Sequence, residues 1–564
     1  MRGHLSIRTA WLILALALFT YLFGLDSRFA PKNGDEYVYM HIARMTADAQ
    51  TWLPLQSTLA GMQNTKPPLL FWQGIATSSW GQHWSLWNLR WPSVLYTALT
   101  AFFLFLTVRR FTRDWRTGCL AAFIWLSFFA SYRYGRPFLT DPPEVFWLTL
   151  PFFALLYWGR AAFESKWLFP FCAAGCFGIA FLYKSFAYVV PACLALSLWY
   201  WRFRQGSITQ VIRNDSFKII GIGLLALAIF ALWFVFDPAP GAVWREFVVG
   251  ENAGKFAAGH FSYLKDLLWG ADSLWMLLVM FLANTGLFIF VLLSTLGQSW
   301  RERYRISNEE VYLWLFILAF FLIFSLPSQR SGRYLLPVMP AVASLIAIHW
   351  NHLPRWGFQL ALLLELLIVL ALIWFGWNLS WPFAFWHWVL LAAASFTVLI
   401  GLWRRDATKL SALAGSFFAC TLLVSGLWPL ESNLGRYSAS TLMAIQNQDV
   451  WVPCDYRAKD EEYRLLMPGA RIHGYQQDAA HNMSQLSKQY PLFAVHASPA
   501  EQLVLCDGCK IIGQRSEMRA RQNEEEILAI LLGQINQNLF VNEYLIAAPS
   551  VDLATSLQRK DACR

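Results

Sequence analysis

Long apolar runs recur through most of this sequence, and they constrain its fold more than any other feature. About 13 runs reach or approach the roughly 20 residues that a transmembrane helix needs. They cover residues 9–26, 91–108, 117–132, 144–160, 167–183, 185–200, 217–236, 273–296, 311–327, 334–350, 357–377, 383–403 and 410–428. Only 14% of the residues are charged, against about 25% in soluble domains. The sequence therefore predicts an α-helical integral membrane protein, excludes a disordered or fibrous chain and disfavours a soluble enzyme.

The positive charge is distributed by loop. A net charge of +10 would suggest a nucleic-acid partner in a soluble chain, but here the cations fall in alternate loops, as the positive-inside rule expects for cytoplasmic loops. These loops contain Arg109 to Arg116, Arg160 and Lys166, Arg202 to Arg213, Arg301 to Arg305, Arg355, and Arg404 to Lys409. With the N-terminus inside and an odd number of spans, the C-terminal part lies on the outer side. The first run is predicted to be retained, because no small-residue cleavage site follows it.

Three regions are predicted to lie outside the hydrocarbon. Loop 27–90 is long and amphipathic, with tryptophans typical of helices in the bilayer interface. Segment 237–272 is polar and interrupted by glycine, whereas 429–564 has the alternating pattern of a soluble α/β domain. We therefore predict two domains, 1–428 in the membrane with its loop 27–90, and 429–564 outside it. Within 429–564 the expected strands are Asp449 to Asp455, Tyr490 to Ala497, Lys510 to Gly513 and Leu539 to Ala548, with a helix from Asn523 to Leu539.

The nine cysteines divide between the two regions. Five lie in apolar runs and are interpreted as small core residues. The four in the outer domain are Cys454, Cys506, Cys509 and Cys563. An oxidising compartment permits up to two disulfides among them, in any of three connectivities. We favour disulfides over a zinc or redox site at the Cys-x-x-Cys pair, because no second metal-type pair accompanies it.

Acidic and basic side chains concentrate in the predicted outer loops. Asp35 and Glu36 follow the first span, where a carboxylate is suited to act as a general base; the alternative is that they cap a helix. Six cations lie on the side that the topology rule disfavours: Lys66, Arg133, Arg136, Lys184, Arg330 and Arg333. Binding of a lipid phosphate would explain them. The alternatives are pairing with nearby carboxylates and, for Lys66, snorkelling to bulk lipid.

The order of these segments resembles a known superfamily. In sequence they are Asp35–Glu36, KPPLLFW from Lys66, LRWPSVL from Leu89, TDPPEVFW from Thr140, YKSFAYVVP from Tyr183, GENAGKF from Gly250 with His260, and RYLLPVMP from Arg333. This order over residues 1–430 resembles the bacterial aminoarabinose transferases and protein O-mannosyltransferases, glycosyltransferase families 39 and 83. The resemblance implies the GT-C fold, about 13 transmembrane helices and transfer of a sugar from a polyprenyl-phosphate carrier.

The resemblance also implies roles for individual positions. Asp35 matches the catalytic acidic residue of the first loop, and Asp141 matches the acidic residue of the second outer motif. Lys66, Lys184, Arg333 and Tyr334 are expected to face the carrier phosphate. The remaining candidates for substrate binding are Glu36, Arg44, Arg136, Glu251, Lys255 and His260. The chain departs from the aminoarabinose transferase pattern at Val38, where arginine is usual, and at Thr65, where glutamate is usual. The sugar donor and any metal site are therefore left open.

The predicted reaction is an inverting displacement on the periplasmic side of a bacterial inner membrane. Cations near the carrier would stabilise the charge of the departing phosphate, and Asp35 would orient or deprotonate the attacking oxygen. We expect no required cofactor, although a divalent cation remains an option, and we expect no nucleic-acid partner and a monomer. The acceptor is lipid A or another envelope molecule, with a pilin or other exported protein as an alternative. The sequence does not identify the sugar.

Two other classes of protein compete with an enzyme. A lipid or sugar transporter also carries charges at membrane depth, but here the charges gather at outer loops and no inverted repeat is evident. A non-catalytic assembly protein would use the long outer loop for docking. Both classes are kept as alternatives to an enzyme.

Overall fold

The architecture is described from a computed structural model of the chain. It describes residues 5–28, 34–256, 260–270, 272–304, 306–454, 457–476, 483–499, 503–519 and 522–549. Cys563 lies outside these ranges.

The described residues up to Ser432 are mainly helical. They are α1 (Ile7–Leu22), α2 (Gly34–Asp48), α3 (Leu69–Thr77), α4 (Leu86–Thr112), α5 (Trp115–Ser127), α6 (Phe129–Gly135), α7 (Asp141–Trp158), α8 (Arg160–Glu164), α9 (Leu168–Tyr183), α10 (Val189–Phe203), α11 (Ile208–Asn214), α12 (Ser216–Phe236), α13 (Pro240–Val243), α14 (His260–Leu268), α15 (Leu274–Ala283), α16 (Ile289–Arg301), α17 (Asn308–Ser325), α18 (Met339–His349), α19 (Arg355–Leu379), α20 (Phe385–Trp403), α21 (Thr408–Gly426) and α22 (Trp428–Ser432). Short 3₁₀ segments join some of them, and the one over Gly332–Val338 leads into α18.

Eight of these helical stretches are long and apolar enough to cross a membrane, and the bent pair α15–α16 makes a ninth if it is counted as one span. The two halves of that pair meet at 111°. The other four predicted spans fall on α1, α5, α7 and α9. The chain is a multi-pass membrane protein, as predicted, while the count of 13 crossings stays a prediction.

Local sequence sets where several of these helices begin. The carboxylate of Asp114 accepts from the backbone N–H groups of Arg116 and Thr117, both at 3.1 Å, and α5 starts there. The hydroxyl of Ser307 accepts from the Glu310 N–H at 3.2 Å at the start of α17. Such caps satisfy backbone donors that a helix cannot pair internally. The loop between two spans therefore turns into the next helix at a defined residue.

The C-terminal part is built around a five-stranded sheet. Its strands are β1 (Asp449–Cys454), β2 (Arg471–Gln476), β3 (Leu492–Ala497), β4 (Lys510–Met518) and β5 (Phe540–Ala547), in the order β2-β1-β3-β5-β4. The β2-β1-β3 part is parallel and the β3-β5-β4 part is antiparallel. The helices of this part are α23 (Ala439–Ala444), α24 (Asp460–Leu466), α25 (Met483–Gln489), α26 (Glu524–Leu531) and α27 (Ile535–Leu539). The α/β fold is confirmed, and the boundary at residue 429 stays a prediction.

Two details differ from the expected elements. The strand β2 was not among the expected strands. The single helix expected from Asn523 to Leu539 is two helices, because Gly533 between them adopts a φ of +96°, a conformation that glycine accepts without strain. Cys506 and Cys509 form a disulfide, with Cα atoms 5.3 Å apart; a disulfide was favoured over a metal site, and this pairing is one of those left open by the sequence.

A buried polar cluster joins the C-terminal domain to α2 in loop 27–90. Glu461 of α24 accepts from the Arg44 guanidinium of α2, with Nη2 to Oε1 at 2.6 Å, and lies 2.9 Å from His41 Nδ1. The Glu461 side chain is completely buried. Burial raises the pKa of Glu461, but Arg44 and the His41 hydrogen bond outweigh it and hold the pKa at about 2. The ion pair therefore ties the domain to α2.

We expect this cluster to make the domain acid-sensitive. Because the folded pKa of Glu461 is about 2 against an ordinary 4.5, its contribution is fully present above pH 4.5 and is lost as the pH falls toward 2. The contribution is roughly 3 kcal/mol of unfolding free energy. Glu461→Gln should therefore melt below wild type at pH 6, with the gap closing as the pH falls from 4.5. An undiminished gap at pH 3 would contradict this origin of the acid sensitivity, because other buried carboxylates are unchanged between the two proteins.

Candidate active site

A cavity of about 1030 Å³ opens between loop 27–90, the ends of several candidate spans and the C-terminal domain. Residues of α2, of the 62–66 segment, of the α9–α10 junction and of the 331–334 turn line it. Its wall contains both charged and apolar side chains. This combination suits a ligand with a charged head and a hydrocarbon tail.

Arg333 is the central cation of the polar wall. Its Nε and Nη2 donate to the two carboxylate oxygens of Asp141 at 2.9 and 2.5 Å, and its Nη1 donates to Asp35. Gly332 lets this turn approach α15, because a Cβ at that position would lie 2.6 Å from Met280 Cβ. The fork geometry of arginine thus holds two carboxylates from different segments at one place.

Lys184 lies behind the same carboxylate. It caps the C-terminal end of α9, where the helix dipole favours a cation. Its Nζ donates to Asp141 at 2.9 Å and to Glu144 at 2.6 Å. Asp141 and Glu144 lie in the first turn of α7, which begins with two prolines. Charges that would be costly in hydrocarbon therefore compensate one another here.

Asp35 differs from Asp141 in exposure. Half of the Asp35 side chain is exposed, whereas 1% of Asp141 is exposed. Asp35 lines the cavity, and Asp141 is not among the residues of its wall. The two predicted catalytic carboxylates are therefore bridged by one guanidinium, but Asp35 faces the ligand space and Asp141 faces the cations.

Lys66 adds a second cation from another loop. It lines the cavity and its ammonium donates to Glu251, which also lines it. Asn252, the next residue, accepts from the Ser185 hydroxyl at 2.7 Å. The Lys66–Glu251 pair thus brings loop 27–90 into contact with the segment that contains Glu251.

The remaining wall is apolar and aromatic. Tyr334 lines the cavity and stacks on Phe324, with ring centroids 5.4 Å apart. Tyr188, Val190 and Ile323 continue this surface. All three of these residues come from helical stretches long and apolar enough to span the membrane, so the candidate spans themselves form part of the apolar wall.

The cavity also receives Arg457 from the C-terminal domain. Sequence reasoning did not identify this residue, because Arg457 lies in a short connection between β1 and α24 without a helical or strand pattern. No local signal distinguishes it from other surface arginines of the domain.

Three predicted site residues lie elsewhere. Glu36 is buried and accepts from the Arg90 Nε and Nη2 atoms at 2.7 Å each. Arg136 is buried and donates to the carbonyls of Tyr21 and Phe23. Arg44 holds Glu461. None of the three lines the cavity. The contacts of Glu36 and Arg136 join helices to one another, and a substrate-binding role for the three residues stays a prediction.

The other predicted residues complete this comparison. Arg330 is buried and donates to the carbonyl groups of Ser325 and Asp272. Arg133 is exposed and lies over the Tyr134 ring. The side chains of Lys255 and His260 lie outside the described part of the chain.

Groups of histidines and carboxylates that are close enough to hold a metal ion occur at three places in the described residues. They are Glu302–His349–His352, His41–Asp460–Glu461 and His496–Glu517–Glu543. None of these residues lines the cavity. In the latter two groups, arginines already pair with the carboxylates.

Known proteins share both sequence and fold with the chain. The model of the dolichyl-phosphate-mannose-protein mannosyltransferase family matches residues 9–239. A protein of Pseudomonas aeruginosa strain UCBPP-PA14, named undecaprenyl phosphate-alpha-4-amino-4-deoxy-L-arabinose arabinosyl transferase, is 29% identical over 376 residues, which are 64% of this chain and 62% of that protein. A protein of the same name from Pectobacterium carotovorum subsp. carotovorum strain PC1 is 25% identical over 61% of this chain and 59% of its own length. The match thus spans about three fifths of these relatives.

The likeness of fold extends over nearly the whole chain. The crystal structure of ArnT from Cupriavidus metallidurans bound to undecaprenyl phosphate aligns with a TM-score of 0.62 at 15% identity, covering 96% of this chain and 99% of that one. The predicted fold class is confirmed. The chain is therefore similar in sequence to the protein mannosyltransferase family over residues 9–239 and to the aminoarabinose transferases over about three fifths of its length, and it has the fold of the aligned ArnT structure.

Proposed function

We propose that this protein is a glycosyltransferase that moves a sugar from an undecaprenyl-phosphate carrier to lipid A or another envelope acceptor. The single observation that carries this proposal is the cavity that joins Asp35, Lys66 and Arg333 to an apolar wall. The names of the relatives, which include undecaprenyl phosphate and an aminoarabinose sugar, support this donor class. The active site would face the periplasm from the inner membrane.

The cations would bind the carrier phosphate. Lys66 and Arg333 lie on the polar wall beside Tyr334, while the isoprenoid chain would follow the apolar surface of Tyr188 and Ile323. In the transfer, an acceptor oxygen forms a bond to the anomeric carbon as the bond from that carbon to the carrier phosphate oxygen breaks. The leaving phosphate gains negative charge, which fixed cations stabilise. Displacement from the opposite face inverts the anomeric centre.

Asp35 is placed to orient the acceptor. It is the partly exposed member of the carboxylate pair, so its carboxylate can receive the proton of a hydroxyl acceptor. A phosphate acceptor is already ionised and needs orientation alone. Asp141 would act as a positioning residue, because it holds Arg333 and Lys184 at the cavity without lining it. The chemistry needs no resident metal in this scheme, and a divalent cation near the acceptor phosphate is compatible with it.

The function is tested by mass spectrometry of lipid A and of envelope proteins with and without the gene. A sugar mass that is present on lipid A and lost on deletion would support the proposal. The same mass on a pilin or another exported protein would move the acceptor to the protein class. Unchanged envelope molecules, together with carrier-dependent uptake into liposomes, would favour a transporter.

Arg457 is expected to contribute to acceptor binding. A guanidinium from the C-terminal domain at the cavity suits a phosphorylated acceptor. Arg457→Ala should raise the KM for the acceptor roughly tenfold, a loss of about 1.4 kcal/mol, while the KM for the carrier stays unchanged. Steady-state transfer in proteoliposomes measures both. Arg471→Ala is the matched control, since Arg471 is an exposed arginine of the same domain that pairs with Asp449. Equal effects of the two variants would argue against this role.

A further inference from the structure

An apolar helix face is exposed on the C-terminal domain. In α26 and the residue after it, Ile527, Leu528, Leu531 and Leu532 are exposed by 49%, 59%, 68% and 75%. Adjacent large aliphatic residues of this kind rarely remain in water on a folded domain. Their spacing of one, three and four residues puts them on one side of the helix. This face needs a partner outside the described contacts of the domain.

The position of α26 indicates which partner. The α26–α27 turn lies at the end of α19, where a Cβ on Gly533 would be 3.7 Å from Asn378 Oδ1. Ile530 and Ile535 belong to the apolar cluster that includes Trp374 and Leu379 of α19. The helix α26 therefore packs beside the C-terminal end of α19.

The same end of α19 carries exposed aromatic residues. Trp377 in its last turn is 85% exposed, and Phe385 at the start of α20 is 83% exposed. Both helices are long and apolar enough to span the membrane. Aromatic side chains at the ends of spans mark the level of the lipid headgroups. The exposed face of α26 continues this surface beyond the spans themselves.

The opposite end of α26 is built for water. Asn523 and Glu526 form a reciprocal cap at its N-terminus, and Arg519 donates to Glu526 at 2.6 Å. Glu524 and Glu525 are exposed. The helix thus combines a charged start with an exposed apolar face, a combination found in helices that lie in the membrane interface.

We propose that α26 inserts the face formed by Ile527, Leu528, Leu531 and Leu532 into the adjacent bilayer leaflet beside α19. Lipid acyl chains are the occupant of this face, because it adjoins the lipid-facing ends of two spans. The insertion attaches the C-terminal domain to the bilayer, whereas the Arg44–Glu461 pair attaches it to α2. It would hold the domain, and with it Arg457, against the cavity.

Hydroxyl-radical footprinting of the whole wild-type chain tests this. The protein is placed at one copy per nanodisc in a 3:1 mixture of phosphatidylethanolamine and phosphatidylglycerol, so that no other protein can cover the helix. The internal control is Val504, a large aliphatic residue of the same domain that is 81% exposed. We expect several-fold less oxidation at Leu528, Leu531 and Leu532 than at Val504.

Two results would overturn the proposal. Oxidation of the three leucines as strong as that of Val504 would place the face in water. Protection that appears in discs holding two copies but is missing in single-copy discs would assign the face to a second copy of the chain. The measurement needs no substitution, so a failure to fold cannot obscure it, and it does not depend on the proposed glycosyl transfer.

Discussion

Asp35→Asn is expected to lower the turnover of the proposed glycosyl transfer by about 10²–10⁴-fold, the range that a positioned acid or base contributes. Asp35 is the carboxylate that lines the cavity and remains half exposed while bound to Arg333. Asparagine has almost the same size but cannot accept a proton or carry the charge that orients an acceptor. Transfer of a radiolabelled sugar in proteoliposomes measures kcat, and binding of undecaprenyl phosphate measures whether the carrier site survives.

The matched control is Asp48→Asn. Asp48 lies on the same helix, α2, and is similarly exposed, but it pairs with Arg44 instead of lining the cavity. We expect this variant to retain nearly full turnover. If Asp35→Asn kept wild-type kcat, or lost carrier binding in proportion to activity, Asp35 would not have the role proposed for the reaction.

Arg333→Ala is expected to reduce both stability and activity. Arg333 is the guanidinium that bridges Asp141 and Asp35, and its side chain is 17% exposed. Its removal leaves the buried Asp141 with Lys184 as its remaining cation in the described network. Breaking a buried pair costs about 3–5 kcal/mol, and we expect the lower end because Lys184 remains. The turnover should fall by about 10²–10³-fold through the loss of charge stabilisation at the leaving phosphate.

Arg333→Lys separates the two effects. Lysine keeps the positive charge but cannot form the bidentate contact with Asp141, so activity should recover in part while the melting temperature stays low. Arg133→Ala is the control, since Arg133 is also a cation of the predicted outer loops but is exposed, and its effect should be within about 0.5 kcal/mol. Wild-type stability and turnover in Arg333→Ala would show that this network is dispensable.

The fold was largely predictable from the sequence because the bilayer imposes a simple requirement. Backbone groups in hydrocarbon must be satisfied within each span, so apolar runs of sufficient length identify the helices without knowledge of their packing. The strands β1, β3, β4 and β5 were also recognisable from alternation. The break between α26 and α27 was not predictable. A glycine inside an apolar helical pattern can be helical or have a positive φ, and the sequence pattern does not show which of the two Gly533 adopts.

The site was predictable in its chemistry and less so in its membership. Charges on the unfavourable side of the membrane need a reason, and this requirement singles out Lys66, Lys184 and Arg333 from sequence position alone. The same requirement singles out Arg136, which instead donates to two backbone carbonyls. A sequence pattern indicates that a charge lies at an unfavourable position. It does not indicate whether a ligand or another group of the protein compensates that charge.

Three properties could be read from the order of residues: that the chain enters the membrane, which loops carry its charges, and that an α/β part follows the spans. These properties depend on composition and spacing along the chain. Other contacts became known only from the folded arrangement. Arg333 joins Asp35 to Asp141. Glu36 forms an ion pair with Arg90, and Arg457 lines the cavity. The interaction energy of two charges decreases as the distance between them grows. These partners are tens to hundreds of residues apart in the sequence, so the packing of the helix ends determines which of them come into contact.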